Sequence, residues 1–305
     1  MKAIVTGGAG FIGSNTARYL LNKDYEVIVI DNLETGNIDN IPDNVKFYET
    51  DISNSNVIDI LQNEKADYIF HFAAQIDVRK SLENPIFDLN TNIIGTINIL
   101  DGIKRAGKGK IIFASSGGVM YGECETPKDE NERENPLSPY GISKLAAEKY
   151  IRCYSQCHNV PYVILRFANV YGPFQSNKGE AGVIAIFIEQ IKHNEKSQIF
   201  GYGKMTRDYI YVKDVAKVAY ITALEVNKEI INVGTMRGTD NITIYKKIAD
   251  IMQKEYDYEL KEARNSELIS SIVNNQKLGK YLSLSELINI DSGLKGTVDW
   301  YLSHD

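Results

Sequence analysis

Cysteine, long apolar runs and surplus basic charge are what this chain has least of, and each shortage removes a class of protein. Its three cysteines, Cys124, Cys153 and Cys157, supply neither a disulfide framework nor the four ligands of a structural zinc site. They read as reduced thiols. Helical spacing would bring Cys153 and Cys157 together beside His158, and packing is their expected role. His71, His193 and His304 are scattered, and no metal site is expected. No apolar stretch approaches the roughly 20 residues that cross a bilayer, and no membrane association is expected. The sequence opens directly on a strand-like run, which leaves no room for a signal peptide, so the cytoplasm is the expected location. A net charge of -6 with dispersed lysines lacks the basic face of a nucleic-acid binder, so an anionic ligand must be held locally. Internal repeats, low-complexity tracts and flexible linkers are also missing.

What is present is an ordinary globular composition, 43% hydrophobic over 305 residues, enough for one large core and a smaller attached unit. The N-terminal run Lys2-Ala3-Ile4-Val5-Thr6 leads at once into Gly7-Gly8-Ala9-Gly10-Phe11-Ile12-Gly13 and a helical stretch to Asn22. Strand, tight turn and helix follow in that order. Gly7, Gly10 and Gly13 permit positive φ and close backbone approach, while the amides and dipole of the following helix suit a pyrophosphate. The next apolar run, residues 25–30, ends in Asp31, about twenty residues beyond the turn, where a carboxylate accepts hydrogen bonds from an adenosine ribose. The same carboxylate would repel the extra phosphate of NADP, so NAD is the expected cofactor.

Strand-like runs at 45–48, 68–72, 110–114 and 162–167 alternate with helical segments near 58–63, 90–106 and 139–157. This alternation predicts an α/β fold, a doubly wound parallel sheet. Residues 1–170 form the expected dinucleotide-binding domain. After 170–173 the pattern loosens, with helices near 183–193 and 244–256 and a short strand at 198–200, and residues 171–305 are expected to build a smaller domain. The chain is expected to revisit the first domain at about 208–235, where the runs 209–212 and 230–234 flank a helix.

Tyr140 and Lys144 lie one helical turn apart in Tyr140-Gly141-Ile142-Ser143-Lys144. Residues so spaced face the same way, and a lysine ammonium beside a phenol favours its anion. Beside a bound dinucleotide, such a phenolate is a base for redox chemistry on an alcohol.

These motifs together resemble the extended short-chain dehydrogenase/reductase superfamily, and specifically its nucleotide-sugar branch typified by UDP-glucose 4-epimerase. The resemblance runs along nearly the whole chain. Its carriers are the glycine loop, residues 31–36, Asp51-Ile52, His71-Phe72-Ala73-Ala74, Ser115-Ser116 ahead of Tyr121-Gly122, Tyr140 with Lys144, and Asn169-Val170-Tyr171-Gly172-Pro173. Arg207-Asp208-Tyr209, Asp214-Val215-Ala216 and Asn232-Val233-Gly234 extend it. The resemblance implies a Rossmann-type fold, NAD, a UDP-sugar substrate and a homodimer built on helices 90–106 and 139–157. It implies cofactor contacts from Gly7, Gly10, Phe11, Ile12, Gly13, Asp31, Asn32, Thr35, Gly36, Phe72, Ser115, Tyr140 and Lys144. Asp51 and Ile52 would flank the adenine, Ala73 and Ala74 would lie against the cofactor, and Asn92 near the nicotinamide. On the substrate side it implies Ser116, Tyr140, Asn169 and Val183, with Arg207 and Arg264 neutralising a diphosphate through bidentate forks. Ser271 falls where the family sets pocket size, and a small residue there implies room for an N-acetyl group.

Two departures stand out. Where relatives place a hydroxyl four positions before the Tyr-Gly pair this chain has Gly117, so Ser116 is the expected substitute beside Tyr140 and Lys144. The context after the second arginine is Asn265-Ser266-Glu267 rather than proline-glycine. The expected reaction is 4-epimerisation of UDP-glucose and UDP-galactose, with the N-acetylhexosamine pair as a further substrate class, through a transient 4-keto sugar. The rivals are a 4,6-dehydratase or decarboxylase, and a catalytically silent NAD-binding scaffold. Dehydration needs an extra acid and base, and Gly117-Gly118-Val119-Met120 offers no carboxylate.

Overall fold

A computed structural model describes residues 1–122, 127–176, 182–263 and 268–304 of the chain. Its first half winds β1 (Lys2–Thr6), α1 (Phe11–Leu21), β2 (Glu26–Asp31), β3 (Lys46–Glu49), α2 (Asn56–Glu64) and β4 (Tyr68–His71). Next come α3 (Val78–Glu83), α4 (Pro85–Leu89), a π-helical turn (Asn90–Ile94), α5 (Gly95–Ala106), β5 (Lys110–Ser116), α6 (Pro139–His158) and β6 (Tyr162–Phe167). The second half runs through β7 (Asn169–Tyr171), α7 (Val183–Lys192), β8 (Ser197–Ile199), β9 (Thr206–Tyr211), α8 (Val212–Glu225) and β10 (Glu229–Val233). It closes with β11 (Gly238–Asp240), α9 (Asn241–Ile251), β12 (Tyr258–Leu260), β13 (Ser270–Ser271) and α10 (Ile290–Ser303).

The main sheet has seven strands in the order β10-β6-β5-β4-β1-β2-β3, all pairs parallel. Both faces are covered, as the period of two along a strand requires. Val5, Val29, Phe70, Ile112 and Leu165 pack under α1 and α8, whereas their neighbours Ile4, Ile28, Ile69, Ile111 and Ile164 pack under α2, α5 and α6. The strand order reverses between β1 and β4, so a crevice opens at their carboxyl ends. The expected Rossmann-type α/β sheet is therefore the observed one.

A smaller C-terminal unit has its own core, in which Tyr171, Ile184, Ile188, Tyr209, Ile244, Ile248, Leu294 and Val298 are buried. Its central strand is β9, hydrogen-bonded to β7, β11 and β13. Strand β9 pairs within this second sheet, while Ile210, α8 and β10 pack into the core of the main sheet. β9 is buried along Asp208–Tyr211, with Ile210 in the main-sheet core and Tyr209 and Tyr211 in the C-terminal core. The helix expected at 244–256 ends early, at Ile251. Gln253 adopts φ +53, with Lys254 N–H bonded to the Ala249 carbonyl and Gln253 N–H to that of Asp250. This is a Schellman stop made without glycine, so the sequence does not announce it.

Candidate active site

The glycine turn between β1 and α1 is built for close approach. Gly7 has φ +70, and a Cβ there would lie 2.6 Å from the Ala73 nitrogen, directly across the reversal point of the sheet. A Cβ on Gly13 would meet the Gly7 carbonyl oxygen at 2.0 Å. Helix α1 starts from Gly10 with no side-chain cap and no acidic residue in its first turn, leaving its N-terminal amides and positive dipole end for an anion. At the end of β2, the Asp31 carboxylate accepts hydrogen bonds from Ala9 N–H and Leu33 N–H, each at 2.9 Å. Burial raises the Asp31 pKa, and backbone hydrogen bonds from Leu33, Ala9 and Asn32 oppose the rise. Asn32 donates to Asp51 at 2.8 Å, Ile52 packs where Gly95 makes room, and Gly36 closes against Ala9 and Asp31. Thr35 is exposed, and Phe11, Ile12, Phe72, Ala73 and Ala74 are partly exposed along the crevice. An anion-binding cradle, an apolar crevice and a carboxylate at the second strand end fit the pyrophosphate, base and ribose of NAD.

Tyr140 stands in the first turn of α6, which Pro139 starts and Ser138 caps by accepting Gly141 N–H at 3.1 Å. One turn on, Lys144 is buried, and its Nζ donates to the Ala114 carbonyl at 3.0 Å. That nitrogen lies 4.9 Å from the centre of the Phe113 ring and 5.9 Å from that of Tyr140. Burial pulls the Lys144 ammonium down to about 8, and the Asp88 and Glu148 carboxylates oppose that pull. Ser116, at the end of β5, keeps a partly exposed side chain. The Ser115 hydroxyl donates to Glu148 at 2.6 Å. A Cβ on Gly117 would strike Val273 at 2.7 Å, so the hydroxyl expected there by family pattern has no room, while one on Gly118 would find nothing closer than Ser116 Oγ at 3.7 Å.

On the other wall, β9 brings Arg207 into register with Ser271 of β13 and Thr239 of β11. Arg207 Nη1 donates to the Thr206 carbonyl at 2.9 Å. Ser271 is buried, Asn169 is exposed on β7 opposite Tyr209, and Val183 opens α7. Arg264 and Cys124 lie outside the described residues. Cys153 and Cys157 are exposed on α6, so packing is not their role. Among the described residues no cluster of three or more His, Cys, Asp and Glu side chains could hold a metal.

The polar scaffold behind these residues has no signature in local sequence. Asn92 is held on three sides: its Oδ1 accepts Gln75 N–H at 3.0 Å, and its Nδ2 donates to the Gln75 carbonyl and to Asp88. His71 links Thr6 at 2.7 Å with Thr96 at 3.1 Å. Because Thr96 donates its own proton to the Asn92 carbonyl, it must accept from Nε2, leaving Nδ1 to accept from Thr6. His71 is therefore neutral; burial, with help from the Lys144 charge, lowers it to about 3. Arg166, fully buried, binds both oxygens of Glu148 and donates to Tyr121 Oη. Each group is an ordinary residue in sequence and acquires its partners only across strands and helices.

A glycine-cradled crevice at the sheet reversal, with a tyrosine and a buried lysine on one helix face beside it, defines a nicotinamide-dinucleotide enzyme. Residues 3–234 match the model of the NAD dependent epimerase/dehydratase family. The chain belongs to that family and is an NAD-dependent enzyme of it. It is 42% identical over 302 residues to a putative UDP-glucose 4-epimerase of Methanocaldococcus jannaschii, covering 97% of each chain. Its fold superposes on the crystal structure of Thermotoga maritima UDP-glucose 4-epimerase with UDP-glucose, TM-score 0.94 and 38% identity over 99% of both chains. It matches the Thermus thermophilus UDP-glucose 4-epimerase complex with NAD at TM-score 0.93 and 33% identity over 100% of both chains. Among the described residues no helix is long and apolar enough to cross a membrane.

Proposed function

We propose that this enzyme inverts carbon 4 of a UDP-hexose, interconverting UDP-glucose and UDP-galactose and accepting the corresponding N-acetylhexosamines. Relatives named as UDP-glucose 4-epimerases along the full chain support the substrate class. The observation that carries the choice of reaction is the segment between Ser116 and Tyr121. It holds glycine, valine and a fully buried methionine, and no carboxylate to serve a dehydration.

NAD, when bound, supplies reversible hydride acceptance at carbon 4. The glycine turn with Phe11 and Ile12, the Asp31 and Asp51 strand ends, and the Ala73 and Asn92 wall hold it. Tyr140 takes the proton of the 4-hydroxyl, and Lys144 stabilises the phenolate with its charge. Ser116 donates a hydrogen bond to the same oxygen and keeps it in line with Tyr140. The 4-keto sugar turns over and regains the Tyr140 proton on the opposite configuration. Rotation demands a firm hold on the diphosphate, assigned to Arg207 and Arg264 with Asn169 and Val183, and a loose hold on the hexose. Ser271, small and beside Arg207 in register, leaves space for an N-acetyl group at carbon 2.

A homodimer accompanies this reading. Helix α4, the π-helical turn and α6 pack on one another, and Ile86, Ile94 and Ile142 present exposed apolar side chains from those elements. Incubation of the purified protein with UDP-hexoses and UDP-N-acetylhexosamines, followed by separation of 4-epimers, tests the activity. Product lighter by one water would replace epimerisation with dehydration, and inert sugars would leave a silent NAD-binding protein.

A further inference from the structure

We propose that Asp208 is a positioning residue for the substrate, bolting the strand that carries Arg207 to the strand ends of the main sheet. Asp208 is fully buried on β9. Its Oδ1 accepts Thr235 N–H at 2.8 Å and the Thr235 hydroxyl at 2.6 Å, and its Oδ2 accepts Met236 N–H at 3.1 Å and Val273 N–H at 3.5 Å. Met236 holds φ +60, and the successive amides of 235 and 236 turn toward the one carboxylate. Gly234 makes the room, since a Cβ there would lie 2.4 Å from Asp208 Oδ2 and 2.6 Å from Val273 Cγ2. Two sequence features that the reaction leaves unused, the acid after Arg207 and the glycine closing Asn232-Val233-Gly234, thus serve one contact.

The carboxylate joins three segments where the two sheets meet. Strand β10 is the edge of the main sheet, and the turn that Asp208 holds leads from it into β11, which pairs with β9. Val273 follows β13, whose Ser271 stands in register with Arg207. The same valine reaches the catalytic strand end, because its Cγ1 fills the place of a Cβ on Gly117, the residue after Ser116. Side chains alternate along a strand. Asp208 therefore shares its face of β9 with Ile210, which packs in the main-sheet core, while Arg207 lies on the opposite face. A line of contact runs from Gly117 through Val273 to Asp208, and Arg207 is the next residue along the backbone. Only a carboxylate supplies acceptors at both ends. An asparagine keeps the shape but turns an NH2 group toward N–H donors and leaves buried amides unpaired. Losing these bonds releases the turn and β13, and with them the placement of the Arg207 guanidinium and of Ser271.

The inference rests on the diphosphate role given to Arg207 above, and its test separates the two. UDP is titrated calorimetrically into the NAD-loaded full chain, Asp208→Asn, Arg207→Ala and the double variant. Arg207→Ala is expected to weaken UDP binding, and Asp208→Asn to weaken it by about 10-fold or more, the scale on which misplacement of a binding group is felt. In the Arg207→Ala background the second substitution is expected to add less than about 2-fold, because residues that act as one unit are not additive. NAD content after acid release should match wild type in all four proteins, and in Asp208→Asn the KM for UDP-glucose should rise more than kcat falls. Additive losses, an unchanged UDP affinity in Asp208→Asn, or NAD lost together with UDP each overturn the proposal. Wild-type UDP affinity in Arg207→Ala would reject the role of Arg207, and the proposal would fall with it. Coupled losses in a protein that turns over no UDP-hexose would uphold the joint and reject the epimerase reading. Should Asp208→Asn fail to fold, Thr235→Val, which removes only the hydroxyl donor, carries the same cycle with a smaller expected loss, and an additive or absent loss overturns the proposal.

Discussion

Lys144 Nζ lies 5.9 Å from the centre of the Tyr140 ring while it donates a hydrogen bond to the Ala114 carbonyl. The lysine is thereby tied to β5, with its charge beside the phenol ring. The base of the proposed reaction is Tyr140, and the lysine is the charge beside it.

Replacing that base isolates it. Tyr140→Phe keeps the ring and removes the oxygen, so kcat for 4-epimerisation should fall by about 100- to 10,000-fold. NAD retained through purification, measured after acid release, should stay at the wild-type level.

The cradle makes a different demand. In Gly13→Ala the new methyl would meet the Gly7 carbonyl oxygen at 2.0 Å, and that neighbour is backbone of the same tight turn. The overpacking should cost about 1–3 kcal/mol. Denaturant midpoints and cofactor content should drop together, and normal NAD retention would show that the turn can yield to a methyl group.

Behind the site, Arg166 and Glu148 form a fully buried bidentate pair. Arg166→Met strands the carboxylate and should cost about 3–5 kcal/mol in urea unfolding. Arg166→Met with Glu148→Leu removes both buried charges and should recover most of the loss, since Glu134, which Arg166 also holds at 3.0 Å, is part-exposed and keeps Lys149 at 3.3 Å. A double variant as unstable as the single one would mean that packing, and not the stranded charge, is the cause.

Acid should act through His71. Its folded pKa of about 3 lies below the ordinary 6.5, so between those values the unfolded chain binds the extra proton and stability rises with pH. The contribution is full above about 6.5 and is lost as pH falls toward 3. His71→Asn should flatten this part of the stability profile, measured by urea midpoints at successive pH values.

The exposed isoleucines test assembly. Ile142 is 56% exposed and Ile86 64%, and Ile142→Glu should convert a dimer into a monomer in sedimentation velocity. An unaltered sedimentation coefficient at the dimer value would move the interface elsewhere.

Much of the fold was legible because it rests on local patterns. A glycine turn between an apolar run and a helix, a carboxylate at the next strand end, and strands alternating with amphipathic helices are readable within short windows, and they specify a doubly wound parallel sheet. Local pattern falls short where it is shared by two destinations. Strand β9 carries the apolar character of a main-sheet strand yet pairs with β7, β11 and β13, and α9 stops at a left-handed glutamine that no residue preference marks. Cys153 and Cys157 share a helix face as spacing implies, but that face is exposed.

By itself the sequence determined the dinucleotide cradle, the Tyr140–Lys144 spacing and the sheet class, since each is encoded by residues within a turn or two of one another. Only the tertiary structure decided that Ser115 serves Glu148, that His71 bridges two threonines, and that Asp88 gathers Gln75, Asn92 and Ser143. Those partners come from separate strands and helices, and a buried charge or hydrogen bond has no energetic meaning until the fold has excluded water and fixed what faces it.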